Sequence, residues 1–280
     1  MNELPGDQIE SWRSVAEGWA RQREALWRAT RALSERMVEL LDPRPGERVL
    51  ELAAGSGDTG FLAAARLGPE GRLLSTDAAP EMVAAAVRRA EELGLTNVEL
   101  SVVDAAATGL PGASVDGALC RFGVMLVPDC DAAARELARV VRPGGRVVLA
   151  VWAEARGNPW LSAVGRAALE LGLIERPTPD EPGPFRLADP GRLRRLVEEA
   201  GLRVDVLEDA EVTWRAASLD EWWAIAQDTS QLVRTLAARL GEAGLATLRE
   251  HAAGGLRAHA RPDGSLVVPG KARVVLAGRG

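Results

Sequence analysis

The sequence predicts an α/β fold: a doubly wound, mostly parallel sheet with an antiparallel closing strand, interrupted by helical cap insertions. Three observations carry that prediction. Short apolar runs alternate with helix-period segments from Arg48 to Trp152, which implies a parallel sheet covered on both faces. A glycine-rich loop joins the first run to its helix. Beyond Trp152 the alternation gives way to longer helical stretches before a last apolar run returns. With 280 residues, 47% hydrophobic and 26% charged, the chain has the composition of one elaborated globular domain with a cap.

The elements follow in order. From Asp7 to Leu41, Trp12, Val15, Trp19, Leu26, Leu33, Met37 and Leu40 recur at helical intervals, and Asp7 and Glu10 are spaced for a capping box. Asp42-Pro43-Arg44-Pro45-Gly46 stops that helix. Arg48–Leu52 reads as a buried strand, and the small residues from Ala53 to Gly60 lead into a helix ending near Leu67. Arg72–Thr76 is the second strand; Pro80 suits the first position of the next helix and Gly94 its stop. Val98–Val103 and Val115–Cys120 read as strands. A helix over Asp129–Val141, the turn Arg142-Pro143-Gly144-Gly145 and the strand Arg146–Trp152 come next. Asn158–Leu171 reads as a helical insert, Pro177–Pro184 as a Pro-rich loop, and Asp189-Pro190 as the start of a helix that Gly201 ends. Leu202–Trp214 is strand-like, Leu219–Ala258 helical, and Ala272–Arg279 closes the chain as a strand. The expected organisation is a helical lid over residues 1–46, a ligand-binding core over 47–152, a cap insert over 153–188, a core helix and strand over 189–217, a helical cap insert over 218–270 and a closing strand over 271–280.

Charge and cysteine usage exclude several classes. Lys and Arg number 34 against 40 Asp and Glu, so the net charge of -6 gives no global field for a polyanion, and nucleic acid is disfavoured. The cluster Arg192, Arg194, Arg195 reads as a solvated helix face. Cys120 and Cys130 form no disulfide framework and neither has a partner at zinc-ligand spacing, so no metal and a reducing, cytoplasmic compartment are expected. The first ten residues lack the regions of an export signal, and no run of about 18 apolar residues occurs, so membrane insertion is not expected. Whether two chains pair as a homodimer is left open.

The segment Gly55-Ser56-Gly57-Asp58-Thr59-Gly60 fits G-x-G-x-x-G after a strand, where glycine lets the backbone approach a ligand at a helix N-terminus. A tight strand-to-helix turn or a dinucleotide site would use similar glycines. Three acids add information. Glu51 ends the first strand, where a buried carboxylate needs a donor or a cation. Asp77 ends the second, where a carboxylate can accept both ribose hydroxyls, and Asp104 ends the third, where it can accept from an exocyclic amine. All three belong to the carboxyl edge of a parallel sheet. They suit a ligand with an ammonium, a ribose and an adenine but no pyrophosphate, as in S-adenosylmethionine.

On these residues the chain resembles the class I S-adenosylmethionine-dependent methyltransferases. Val49-Leu50-Glu51-Leu52-Ala53-Ala54-Gly55-Ser56-Gly57 is similar to their first motif, Ser75-Thr76-Asp77 to their ribose acid and Val103-Asp104-Ala105 to their adenine acid. Arg142-Pro143-Gly144-Gly145-Arg146 matches the turn before their fifth strand. The resemblance spans roughly residues 46–152 and implies a Rossmann-like fold, with S-adenosylmethionine as cofactor and S-adenosylhomocysteine as product. It implies that Glu51 holds the methionine amino group and that the loop at Ala53, Gly55, Ser56 and Gly57 contacts the methionine portion. Asp77, with Ala78 beside it, would bind ribose, Met82 would pack on adenine, and Asp104 with Ala105 would hold its edge. Family members more often carry Asp at position 51, which implies a shifted or water-mediated ammonium contact.

Val15-Ala16-Glu17-Gly18-Trp19 and Asp116-Gly117-Ala118-Leu119-Cys120-Arg121-Phe122 resemble the branch that contains the ubiquinone and menaquinone biosynthesis methyltransferases. That branch usually has Tyr-Asp where Trp19-Ala20 stands and lacks the long insert after residue 218. The resemblance places Arg121 against the transferable methyl, with Phe122 and Met125 bordering the acceptor. Trp12, Trp19, Asn158, Trp160 and Trp223 are candidates for a pocket or lid, with plain interior packing as the competing reading. The sulfonium is already an activated donor, so a general base is optional, and exposed roles are expected for His251 and His259. No catalytic base is assigned. Two cysteines are too few for an arsenic-type thiol relay, no Asn/Asp-Pro-Pro-aromatic motif follows the fourth strand, and Cys120 lacks the paired Pro-Cys of RNA cytosine methylators. The expected function is O- or C-methylation of a small, hydrophobic or aromatic acceptor. The alternatives are an NAD(P)-dependent oxidoreductase and a non-catalytic S-adenosylmethionine-binding module.

Overall fold

The computed structural model describes residues 5–280, with side chains from Glu10 onward. The Asp7 side chain expected in a capping box lies outside the described residues. Helix α1 (Pro5–Leu41) leads into β1 (Arg48–Glu51), α2 (Asp58–Leu67), β2 (Arg72–Asp77), α3 (Pro80–Glu92), β3 (Val98–Val102) and β4 (Val115–Arg121). Next come α4 (Cys130–Val140), β5 (Val141–Trp152), α5 (Pro159–Glu170), α6 (Pro190–Glu199) and β6 (Leu202–Ala216). Helices α7 (Leu219–Thr229) and α8 (Gln231–Gly254) precede β7 (Leu266–Arg279).

The seven strands form one sheet in the order β3-β2-β1-β4-β5-β7-β6. Pairing is parallel from β3 through β5, and β7 pairs antiparallel with β5. Val49, Leu50, Leu73, Ala118, Leu119, Val148 and Leu149 are all buried, as strands covered on both faces require. Asp129 caps α4 and Asp189 caps α6, each accepting a backbone N–H of the first turn.

Three segments depart from the expected elements, one being the closing strand, which begins at Leu266 rather than Ala272. The Pro-Gly-Gly turn is built into β5, which runs unbroken from Val141 to Trp152, while the register with β4 jumps from Val115↔Val141 to Gly117↔Arg146. Gly144 takes φ 75°, and a Cβ on Gly145 would lie 2.7 Å from the Asp116 carbonyl oxygen, so the bulge requires both glycines. The third departure is in α8, which breaks at Gly241 with φ 64° and ψ -177°.

The chain divides into two compact units. One gathers the segment up to Thr30 with Glu154–Glu181 and Glu211–Lys271; the other gathers Arg31–Ala153, Pro182–Ala210 and Ala272–Gly280. In the first, Trp160 stacks on Trp214 with centroids 5.3 Å apart and meets Trp222 edge-on at 6.4 Å. There α1 meets α7 at Gly18, where a Cβ would lie 2.0 Å from the Asp228 carbonyl oxygen, and Arg21 and Gln22 donate to the Asp228 carboxylate. The second unit holds the strand ends with the three acids.

Candidate functional site

The strand order reverses at β1, whose neighbours are β2 and β4; ligands of open α/β sheets bind outside the carboxyl ends of strands at such a point. The loop after β1 is tied to both neighbours, Leu52 N–H donating to Leu119 O and Ala54 N–H to Thr76 O, each at 2.9 Å. Ala53, Gly55 and Gly57 have φ of 51°, 57° and 83°. For Ala53 that left-handed conformation costs roughly 1–2 kcal/mol, strain of the kind that clusters at binding loops. A Cβ on Gly55 would meet nothing within 4 Å, so the crest of the loop is open to a ligand.

Glu51, 2% exposed, is held at both oxygens. Gly60 N–H donates to Oε1 at 2.8 Å and Ser75 Oγ to Oε2 at 3.0 Å. Burial pushes its pKa up to about 8, against the pull of those bonds and of Arg121. A carboxylate so placed gains from an incoming cation. Gly60 is obligatory here, because its Cβ would lie 2.1 Å from Glu51 Oε2.

Asp77 accepts from Gly55 N–H and Ala79 N–H at 2.9 Å each, so the second-strand acid braces the glycine loop while keeping lone pairs for a ligand. Burial also raises its pKa. Asp104 is exposed, two residues past β3, and accepts from Ala106 N–H at 2.8 Å; Ala105 beside it is half-buried. Met82 is buried in the first turn of α3, and Ala78 is half-buried.

Arg121 ends β4, with its guanidinium carbon 5.7 Å from the centroid of the Phe122 ring. Phe122 takes φ 59°, and its ring stacks on Trp152 with centroids 3.7 Å apart and planes 10° off parallel. Met125 lies in a short 3-10 turn and is 1% exposed, so in this conformation it packs inside. Burial pushes the Cys120 thiol up to about 12, which leaves it protonated and unfit as a nucleophile.

The remaining candidates belong to the other unit. Trp12 and Trp19 are half-buried and meet edge-on at 5.9 Å, and Trp19 Nε1 donates to Thr229 O at 3.0 Å. Asn158 is fully buried with its amide engaged by backbone: Oδ1 accepts from Lys271 N–H, and Nδ2 donates to Lys271 O, both at 2.9 Å. Trp160 and Trp223 are buried beside Trp222. His251 is exposed and His259 half-buried. The sequence motifs include Gly60 and Ser75 but not their contact with Glu51, and Trp152 was not among the expected site residues. The Ser75 contact could be found only from the register that sets it opposite Glu51.

Among the described residues no helix is long and apolar enough to cross a membrane, and no group of His, Cys, Asp and Glu could hold a metal ion. Residues 49–145 match the family model described as a methyltransferase domain. Nocamycin O-methyltransferase of Saccharothrix syringae is 38% identical over 119 residues, 42% of this chain and 42% of that protein. The ubiquinone/menaquinone biosynthesis C-methyltransferase UbiE of Rhizobium leguminosarum bv. trifolii is 36% identical over 128 residues, 44% of this chain and 49% of the relative. The chain thus spans about half the length of these relatives, or less. The crystal structure of the YcgJ protein from Bacillus subtilis matches with TM-score 0.60 at 20% identity, over 88% of this chain and 97% of that one, a likeness of fold. Taken with the three acids and the braced glycine loop, these matches identify residues 49–145 as a class I S-adenosylmethionine-dependent methyltransferase domain.

Proposed function

We propose that the whole protein is an enzyme that methylates a small, hydrophobic or aromatic acceptor at oxygen or carbon. The observation that carries this reading is the row of Glu51, Asp77 and Asp104 after three adjacent parallel strands, beside a glycine loop whose crest is open. These residues fit the cofactor: Glu51 would take the ammonium, the loop the methionine portion, Asp77 the ribose hydroxyls and Asp104 the adenine edge. When bound, S-adenosylmethionine supplies an electrophilic methyl group on a sulfonium. The protein's part is then to orient and to exclude water. Phe122, half-buried on its Trp152 support, offers the acceptor an aromatic wall. Relatives named for O- and for C-methylation support either atom.

Calorimetry with S-adenosylhomocysteine tests the reading. Micromolar or tighter binding is expected, and a folded protein that binds none overturns it. Turnover across a panel of phenols and enolisable ketones then separates the enzyme from a module that only binds the cofactor.

A further inference from the structure

The sheet register gives Arg121 a definite neighbourhood. Glu51 is opposite Ser75 on β2 and opposite Leu119 on β4. Opposed residues of parallel strands face the same side, and Arg121 stands two residues beyond Leu119, so Ser75, Glu51 and Arg121 share one face. It is the face that α2 covers, because Gly60 of α2 reaches Glu51. Asp58, the first residue of α2, accepts from Ser56 Oγ at 2.9 Å on the glycine loop. The guanidinium of Arg121 is under the charges of Asp58 and Glu51.

Two carboxylates and one guanidinium make an arrangement complementary to a free amino-acid end. Its ammonium pairs with a carboxylate, and its carboxylate fits the planar fork of a guanidinium. Arg121 is half-buried, with the carboxylate of Asp58 as its chief counter-charge. We propose that Arg121 is the counter-ion of the α-carboxylate of the cofactor, and that without the cofactor the Asp58 carboxylate is the chief counter-charge of the guanidinium until that carboxylate takes it over. The sequence resemblance set Arg121 against the transferable methyl; this assignment moves it to the other end of the methionine portion. It rests on the cofactor reading given above.

Two ligands separate the proposal from that reading. S-adenosylhomocysteine carries the nucleoside, the thioether and the amino-acid end, whereas 5′-methylthioadenosine lacks the amino-acid end. Calorimetry on the full chain should show Arg121→Met losing at least about tenfold in affinity for the first and less than about twofold for the second. Arg121→Lys should fall between, since it keeps the charge but not the fork. Equal losses for both ligands, or no loss for either, overturn the proposal. Retained binding of 5′-methylthioadenosine shows that a variant is folded. Should the Met variant fail to fold, the Lys variant decides, with a preferential loss of at least about threefold expected. Wild-type protein that binds neither ligand overturns the cofactor reading itself.

Discussion

Replacing Glu51 by Gln should make the protein more stable while weakening its hold on the cofactor. In the folded protein burial pushes this carboxyl up to about 8 from an ordinary value of 4.5. Between those values the folded chain keeps a proton that the unfolded chain has released, so the group's favourable contribution is complete below about pH 4.5 and is lost as pH rises toward 8. At pH 7 the gap is roughly two to three units, which at about 1.4 kcal/mol each comes to about 3 kcal/mol. Glutamine does not ionise, and it fits the same bonds: its carbonyl can accept from Gly60 N–H, and its amide can donate to Ser75 Oγ. Denaturant titrations of both proteins at pH 5 and pH 7.5 read the difference. The variant's advantage should grow by about 3 kcal/mol between the two, with the change confined to wild type. Parallel pH dependences would refute the reasoning, because they would mean that enclosure does not penalise the ionised carboxyl. Above pH 8, where wild-type Glu51 is ionised, the variant should bind S-adenosylhomocysteine at least about tenfold more weakly, having no charge to offer the ammonium.

Three further outcomes are expected. Asp77→Asn should cost S-adenosylhomocysteine affinity at least about 1.5 kcal/mol by calorimetry, since one amide oxygen replaces two carboxylate oxygens already shared with Gly55 and Ala79; an unchanged constant would remove the ribose assignment. Cys120 and Cys130 are both buried with raised pKa values, so iodoacetamide at pH 8 should leave both unmodified in native protein and label both after denaturation, read by mass spectrometry. Glu136 is held down to about 2 by its bond to Arg139 and by Thr108. Its stabilisation is present above about pH 4.5 and lost as pH falls toward 2, so Glu136→Gln should flatten the acid limb of the stability curve over that window.

The β-α alternation was legible because strands enclosed by helices are nearly continuous apolar runs, and because Pro80, Gly94, Asp129 and Asp189 mark helix ends through local chemistry. The acids were legible for the same reason: once strand ends are located, Glu51 and Asp77 stand on them. What stayed hidden depends on pairing between distant segments. Ser75 becomes a partner of Glu51 only when β2 aligns with β1, and Gly60 becomes obligatory only when α2 settles on that carboxylate. Pro143-Gly144-Gly145 reads locally as a break, yet β4 accommodates it as a bulge inside β5. Residue type alone did not separate pocket from interior: Trp160 and Trp223 are interior, and the Asn158 amide ties the start of α5 to the backbone of Lys271.

The indole distribution has an optical consequence. Of the eight tryptophans only Trp152 belongs to the unit with the glycine loop, and the other seven all fall in the tryptophan-rich unit. Intrinsic emission and near-ultraviolet dichroism will therefore be dominated by the seven-indole set, including the parallel rings of Trp160 and Trp214. Melting followed at those wavelengths tracks the tryptophan-rich unit, and a Trp152→Phe protein would silence the single indole of the unit with the glycine loop.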